Sequence, residues 1–365
     1  MEIPAQWIRG GTSKCWVFED SDIAATGHGP DDLLPRIFGS PDHRQIDGVG
    51  GASSTTSKAM ILTKPQEDDL DVIFRFAQVG IEEPVVDWGS NCGNCSTTAG
   101  LYAVENGWVE LAQDVTVVRT YNTNTGQRII QRIPTPGGSL PAALQAHIPG
   151  TVHPGHEVGL GFVDPAGKTT GRLLPTGQAR STLQIDGRGF PVTLIDAGAP
   201  AVFLPAAAVE LAEVAHKDWS DAVGPMLGTL DALRRAAAVA MGMAESPGQA
   251  ERAVPKLGIV GPPRHEDADL EVLMLSMGAP HPAMPITGGV AVTTAAFTPG
   301  TFPHELARDA TSGSVAPDGV RKLRLATPAG GIVTFFDESG TDLVVGADRT
   351  ARRLATSTLY LPDSL

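Results

Sequence analysis

The segment Asn91-Cys92-Gly93-Asn94 leads straight into a stretch, residues 96–106, whose apolar residues Leu101, Ala103 and Val104 fall at helical spacing. Gly107 follows at its end, where glycine commonly closes a helix. The cysteine therefore stands at or just before a helix N-terminus. Such a terminus presents unpaired N–H donors and the positive end of the helix dipole, which attract carboxylates. A thiol there has its thiolate favoured, so the expected pKa of Cys92 is depressed. The simpler alternative, a buried small hydrophobe, fits poorly with Gly and Asn as neighbours.

The rest of the chain is built from short elements. Gly 42 and Pro 29 make up about a fifth of the 365 residues, and aromatics are only 5%. Many turns and short strands follow from this more readily than long helices. The first residues alternate and end at Arg9-Gly10-Gly11-Thr12-Ser13-Lys14, a strand running into a turn. A short helix is expected over 33–38, and strands over 58–64, 71–79, 115–118, 128–133 and 143–147. Helices are expected over 206–215 and 230–243, strands over 257–260 and 270–275, and a helix from about Thr287. Strands then resume to the end. Residues 92–100 can be laid against 288–296, and Gln45-Ile46-Asp47-Gly48 against residues 194–198. Two matches in the same order suggest a duplicated architecture.

Charge and cysteine usage narrow the function. The formal net charge of -14 argues against nucleic acid and anionic membranes as partners. It leaves room for a small anionic substrate in a locally positive pocket. Three cysteines, Cys15, Cys92 and Cys95, make no disulfide framework. No apolar run reaches membrane-spanning length, and Met1-Glu2-Ile3-Pro4 lacks the layout of a signal peptide. The expectation is a cytoplasmic protein with reduced thiols. Homodimers are common for enzymes of this size, but no segment declares an interface. Cys92 and Cys95 have the spacing of a zinc or redox pair, yet no second pair or histidine cluster accompanies them. No metal and no cofactor are expected.

Lys58 closes the run Gly50-Gly51-Ala52-Ser53-Ser54-Thr55-Thr56-Ser57. A lysine among small uncharged residues is a candidate for desolvation and hence for use as a base; the alternative is a surface lysine at a strand edge. Lys14 has a similar setting. Lys256, after Pro255, and His281, in Met277-Gly278-Ala279-Pro280-His281-Pro282, are further candidates for contact with a carboxylate.

These segments together resemble the PrpF family of 2-methylaconitate, 4-oxalomesaconate and methylitaconate isomerases. The resemblance runs through nearly the whole chain: Ile3-Pro4, Arg9 to Lys14, Gly39-Ser40-Pro41-Asp42, Gln45 to Gly51, Thr56-Ser57-Lys58, Phe76-Ala77-Gln78-Val79, Asn91 to Asn94, Pro255-Lys256, Thr287-Gly288 and Pro299-Gly300-Thr301. It implies an α+β fold of two similar diaminopimelate epimerase-like domains. Each would be a mixed, largely antiparallel sheet wrapped around a central helix, with the active site in the cleft between them. The domains would cover 1–180 and 181–350, with a strand near 350–365 returning to the first.

The implied chemistry is a cofactor-independent 1,3-allylic isomerisation of a small unsaturated di- or tricarboxylate. The family's catalytic lysine falls on Lys58 and its active-site cysteine on Cys92. Substrate contacts are expected from Thr12, Ser13, Lys14, Ser57, Asn91, Gly93, Asn94, Lys256, Met277, His281, Thr287 and Gly288. Epimerases of this fold carry a second cysteine at the start of the second domain's helix. Here Thr287-Gly288-Gly289-Val290-Ala291 has none, which speaks against an epimerase or racemase needing an acid on each face of the carbon. A non-catalytic carboxylate binder on the same fold is the remaining alternative; solvent deuterium incorporation separates it from an enzyme.

Overall fold

The computed structural model describes residues 1–66, 69–89, 92–252, 254–276, 278–281, 283–308 and 320–361. The chain divides into two compact units. The first comprises Met1–Leu160 with Arg349–Leu365, and the second Gly161–Asp348.

The first unit contains strands β1 (Glu2–Gly10), β2 (Ser13–Glu19), β3 (Lys58–Thr63), β4 (Val72–Val79), β5 (Val86–Asp87), β6 (Val115–Asn122), β7 (Gln127–Pro134) and most of β8 (His156–Val163). Its helices are α1 (Asp20–Ala25), α2 (Pro30–Phe38) and α3 (Gly93–Glu105). β1–β2, β3–β4 and β6–β7 are antiparallel hairpins. Parallel pairings join them, β2 to β3 and β4 to β6. Burial alternates residue by residue along β6 and β7, the period of a sheet with one covered face. β3 is buried at five successive positions, because both of its faces are covered.

One cover is α1 and α2, whose Ile23, Leu33, Leu34, Ile37 and Phe38 pack with Ile3, Ala5, Trp16, Phe18 and Ile61. The other is α3, which touches β1, β2, β3, β4, β6 and β7 and is buried from Gly93 through Val104. Small residues let it lie that close. Gly10 faces Asn94 O so tightly that a Cβ would collide with it, and Gly11, at φ +52°, would run a Cβ into the Asn94 side-chain oxygen.

The second unit contains β9 (Ser181–Ile185), β10 (Arg188–Ala197), β11 (Ala199–Pro205), β12 (Lys256–Gly261), β13 (Leu270–Ser276), β14 (Ala279–Pro280), β15 (Arg321–Thr327), β16 (Gly330–Asp337) and the start of β17 (Val344–Tyr360). Its helices are α4 (Trp219–Ala222), α5 (Leu227–Ala240), α6 (Ile286–Ala296) and α7 (Phe302–Leu306). The pairing order repeats that of the first unit. Hairpins β10–β11, β12–β13 and β15–β16 are joined by parallel pairs β11–β12 and β13–β15. α6, buried along its whole length, packs against β10, β11 and β16. The opposite face carries a separate core around Trp219, Leu230, Leu233, Leu204, Ile259 and Leu273. The chain leaves the first unit within β8 and returns within β17, whose last residues pair with β1.

Several expectations need correction. Residues 161–180 belong to the second unit, where Gly167 N bonds Asp196 O and Asp196 N bonds Leu173 O. Residues 143–147 form only the isolated bridge of Ala146 with Gly155, not a strand. The Ala-rich 206–215 stretch is a single 3-10 turn, Ala206–Val209. Glu210 takes a left-handed conformation there and ends it. The repeat also has a different register. Gly11 meets Asn94 and Gly198 meets Thr287 O; Gly100 meets Gln131 of β7, and Thr293 meets Thr334 of β16. Cys92 therefore corresponds to Pro285, three residues before the sequence-derived match. Residues 45–48 lie in a turn, whereas 194–197 lie in β10, so that echo carries no structural meaning.

Candidate active site

In the first unit β3 and α3 bring Lys58 and Cys92 together. Lys58 opens β3 directly opposite Gln78 of β4. Its buried Nζ donates to Gln78 Oε1 at 2.5 Å and lies 4.9 Å from the centre of the Phe76 ring. Gln78 Nε2 in turn donates to Ser57 O at 2.9 Å. An amide has one acceptor and one donor end, so this bond turns Oε1 towards the lysine. Ser57 itself is fully buried. Its Oγ donates to Val79 O at 3.0 Å and accepts from Gln45 Nε2 at 2.9 Å, so it supports the loop rather than opening towards a ligand.

Cys92 is the N-cap of α3, in extended backbone conformation. Its sulfur accepts from Cys95 N at 3.5 Å, and its thiol is directed at Ser13 Oγ, 4.0 Å away. Its carbonyl accepts from Ser96 N and Ser96 Oγ. The thiol pKa is raised, not depressed. The hydrogen bond with the Cys95 side chain acts most strongly, followed by burial, and together they outweigh the charge of Lys58 and the Cys95 N–H, which favour the thiolate. Cys95 is also pushed up, by burial first and then by its contact with Cys15. Three free thiols thus line one side of the helix start, and Cys15 ends the row 3.7 Å from Thr98 Oγ1.

Asn94 is held at both ends of its amide. Nδ2 donates to Thr12 Oγ1 at 3.2 Å, and Oδ1 accepts from Arg349 Nη2 at 3.0 Å. Arg349 is 3% exposed, its Nε is buried without a hydrogen-bond partner, and burial followed by the charge of Arg9 lowers its pKa to about 10. Gly93 is buried in the first helical turn. Lys14 does not join this group. Neighbouring strand residues point to opposite faces: Ser13 and Cys15 face α3, while Lys14 Nζ lies 4.1 Å from the centre of the Trp7 ring.

The remaining candidates lie in the second unit. Thr287 and Gly288 are buried in the first turn of α6, whose N-cap Pro285 supplies no side-chain cap. Lys256 opens β12 beside Arg234, Arg252 and Asp231. His281 Nδ1 accepts from Ala283 N at 3.0 Å. Asn91 and Met277 lie outside the described residues.

Two residues of the Lys58–Cys92 group carry no role in the sequence reading. Gln78 was within reach of it, since strand register alone places Gln78 opposite Lys58. Arg349 was not, because its partner Asn94 lies 255 residues away.

Comparison with known proteins agrees over the same span. The family model described as PrpF protein matches residues 1–362. The chain is 35% identical to the (4E)-oxalomesaconate Delta-isomerase of Novosphingobium sp. (strain KA1), over 98% of this chain and 97% of that one. It is 36% identical to the 2-methyl-aconitate isomerase of Shewanella oneidensis, over 83% of each. A crystal structure of methylitaconate-delta-isomerase superposes with a TM-score of 0.86 at 30% identity, covering 99% of this chain and 96% of the other. With a match from one end to the other in sequence and in fold, this chain belongs to the PrpF family.

Proposed function

We propose that this protein is a cofactor-independent 1,3-allylic isomerase that moves a double bond in a small unsaturated di- or tricarboxylate of the aconitate, oxalomesaconate or methylitaconate type. The observation that carries the reading is the placement of Lys58 Nζ, aimed by Gln78, beside a protonated Cys92 thiol at the open end of α3. Isomerase relatives along the full chain support it.

In this mechanism Lys58, as the amine, takes a proton from the carbon next to the double bond. The electron pair delocalises through the double bond onto a carboxylate as a dienolate. Backbone N–H groups around Gly93 and Asn94 stabilise that charge, fixed in place before it forms. The Cys92 thiol gives its proton to the far carbon of the allyl unit, and the double bond ends up one position along. The lysine ammonium then returns a proton to the thiolate, restoring both groups. A thiol held neutral suits this role as an acid. Gln78 and Arg349 are positioning residues that aim Lys58 and Asn94. One thiol serves an allylic shift, and the position matching Cys92 in the second unit is Pro285, which has no proton to give. Three free thiols fit a reducing cytoplasm.

The test is proton NMR in D2O with a panel of unsaturated di- and tricarboxylates. A shifted double bond with deuterium at the new C–H position is expected. Turnover should fall on the order of 100- to 10,000-fold in Lys58→Ala, the range general acid–base groups contribute. Near-wild-type turnover in that variant would sink the mechanism. Full activity in Cys92→Ser would assign both proton transfers to Lys58.

A further inference from the structure

The opposite face of the β1–β2 hairpin carries three cations in a row. Arg9 pairs directly with Lys14 across β1–β2 and with Arg352 across β1–β17. Residues directly opposite on antiparallel strands share a face, and like charges so placed repel. The row lines a cavity of about 230 Å³ in the first unit. Thr12, Ser13, Thr55, Thr56 and Thr151 add hydroxyls to its wall, His153 adds an imidazole, and no described lining residue is a carboxylate. Arg353, the next residue along β17, is paired with Glu105 at 3.5 Å. Arg9, Lys14 and Arg352 have no such partner among the described residues. Arg9 Nη1 is committed to Gly11 O and Thr350, while its Nη2 is buried without a hydrogen bond. In a chain of net charge -14, a cavity walled by three unpaired cations is a local reversal of sign, and anions collect at such places.

We propose that this cavity is a second anion site, separate from the Lys58–Cys92 centre, that takes a small multivalent anion bearing carboxylate or phosphate groups. Arg352 supplies a planar fork suited to an oxyanion, Lys14 a point charge, the committed Arg9 a fixed positive charge beside them, and the threonines neutral donors. Thr12 and Ser13, at the hairpin turn, border both places, but the cations do not: Cys15 faces α3, whereas Lys14 faces Trp7 and shares its face with Arg9 and Arg352.

The cation over the indole supplies the readout. Trp7 stacks on Trp16 with centroids 4.9 Å apart, and Lys14 Nζ lies 4.1 Å from the Trp7 centroid. An anion that draws Lys14 away changes the Trp7 environment and hence its fluorescence. The full chain is titrated with propane-1,2,3-tricarboxylate, which has no double bond to shift, and separately with inorganic pyrophosphate. A saturable fluorescence change is expected with at least one of them, and which one responds identifies carboxylate or phosphate as the preferred group. The Kd should rise at least tenfold in Arg352→Gln, much less in Arg352→Lys, and not at all in Lys58→Ala. In Trp7→Phe the optical signal disappears while binding heat remains. Absence of saturable binding by either probe, measured by fluorescence and calorimetry, would overturn the proposal. So would a Kd that moves with Lys58→Ala and not with Arg352→Gln, since that would put the anion at the catalytic centre.

Discussion

Arg349 shows what the candidate site costs the fold. A guanidinium buried to 3% exposure, bonded to a neutral amide and facing Arg9, has its pKa drawn down to about 10. The folded value lies below the unfolded one, so at neutral pH the folded state carries the full penalty, relieved only above about pH 10. The shift corresponds to roughly 3 kcal/mol of destabilisation at neutral pH. Arg349→Met removes that charge and gives up the charge-assisted bond to Asn94, worth about 1.5–3 kcal/mol. The variant should therefore keep its stability or gain up to about 1.5 kcal/mol in urea unfolding at pH 7. Its kcat/KM should fall at least about tenfold, because the Asn94 amide is no longer fixed beside Cys92. A less stable or fully active variant would remove Arg349 from the site.

At the scale of elements, the hairpin turn between β1 and β2 determines how the α3 start is presented. Gly11 combines a left-handed backbone (φ +52°) with close contact to the Asn94 side chain, whereas Gly27 has φ +75° and open space around it. Alanine at either position meets a similar backbone penalty of about 1 kcal/mol, but only at Gly11 does it also displace Asn94. Gly11→Ala is expected to lose at least about tenfold in kcat, and Gly27→Ala to keep its kcat while both lose stability. Equal kcat in the two variants would separate the turn from the chemistry. The same elements show what a sequence discloses. Strands 58–63 and 72–79 and helix α3 were legible because periodicity, a flanking glycine and a Cys-Gly-Asn break agree locally. The 206–215 stretch was not. Its alanines favour helix, but Pro205 precedes a turn that closes after four residues at Glu210, and Val209 and Leu211 are drawn into the Trp219 core. The depressed thiol pKa expected at a helix start also failed. The helix start is there, but Cys95 and burial act on the same sulfur more strongly, and a neighbour one helical turn away reveals its side-chain direction only in the fold.

The whole molecule repeats one pairing order twice and gives the copies different chemistry. The first copy has a thiol at the start of its buried helix, the second a proline. Each copy also has its own apolar cluster, one built on Phe18, Leu33, Leu34 and Phe38, the other on Trp219, Leu230 and Leu233. Among the described residues the two clusters share none. Trp219 is fully buried, donates from Nε1 to Val214 O at 3.1 Å and meets His216 edge-on at 4.7 Å. Truncating it to alanine should cost about 3–5 kcal/mol. If each core stabilises its own unit, that loss appears first as opening of the second unit alone. Hydrogen exchange at α5, β12 and β13 should accelerate on the order of 100-fold or more in Trp219→Ala. Amides of β1, β2, β3 and α3 should change less than about tenfold, and Lys58-dependent proton exchange on the substrate should survive at temperatures below the opening. Equal acceleration in both sets of amides would mean that β8 and β17, the two strands through which the chain passes between the units, bind them into one cooperative whole.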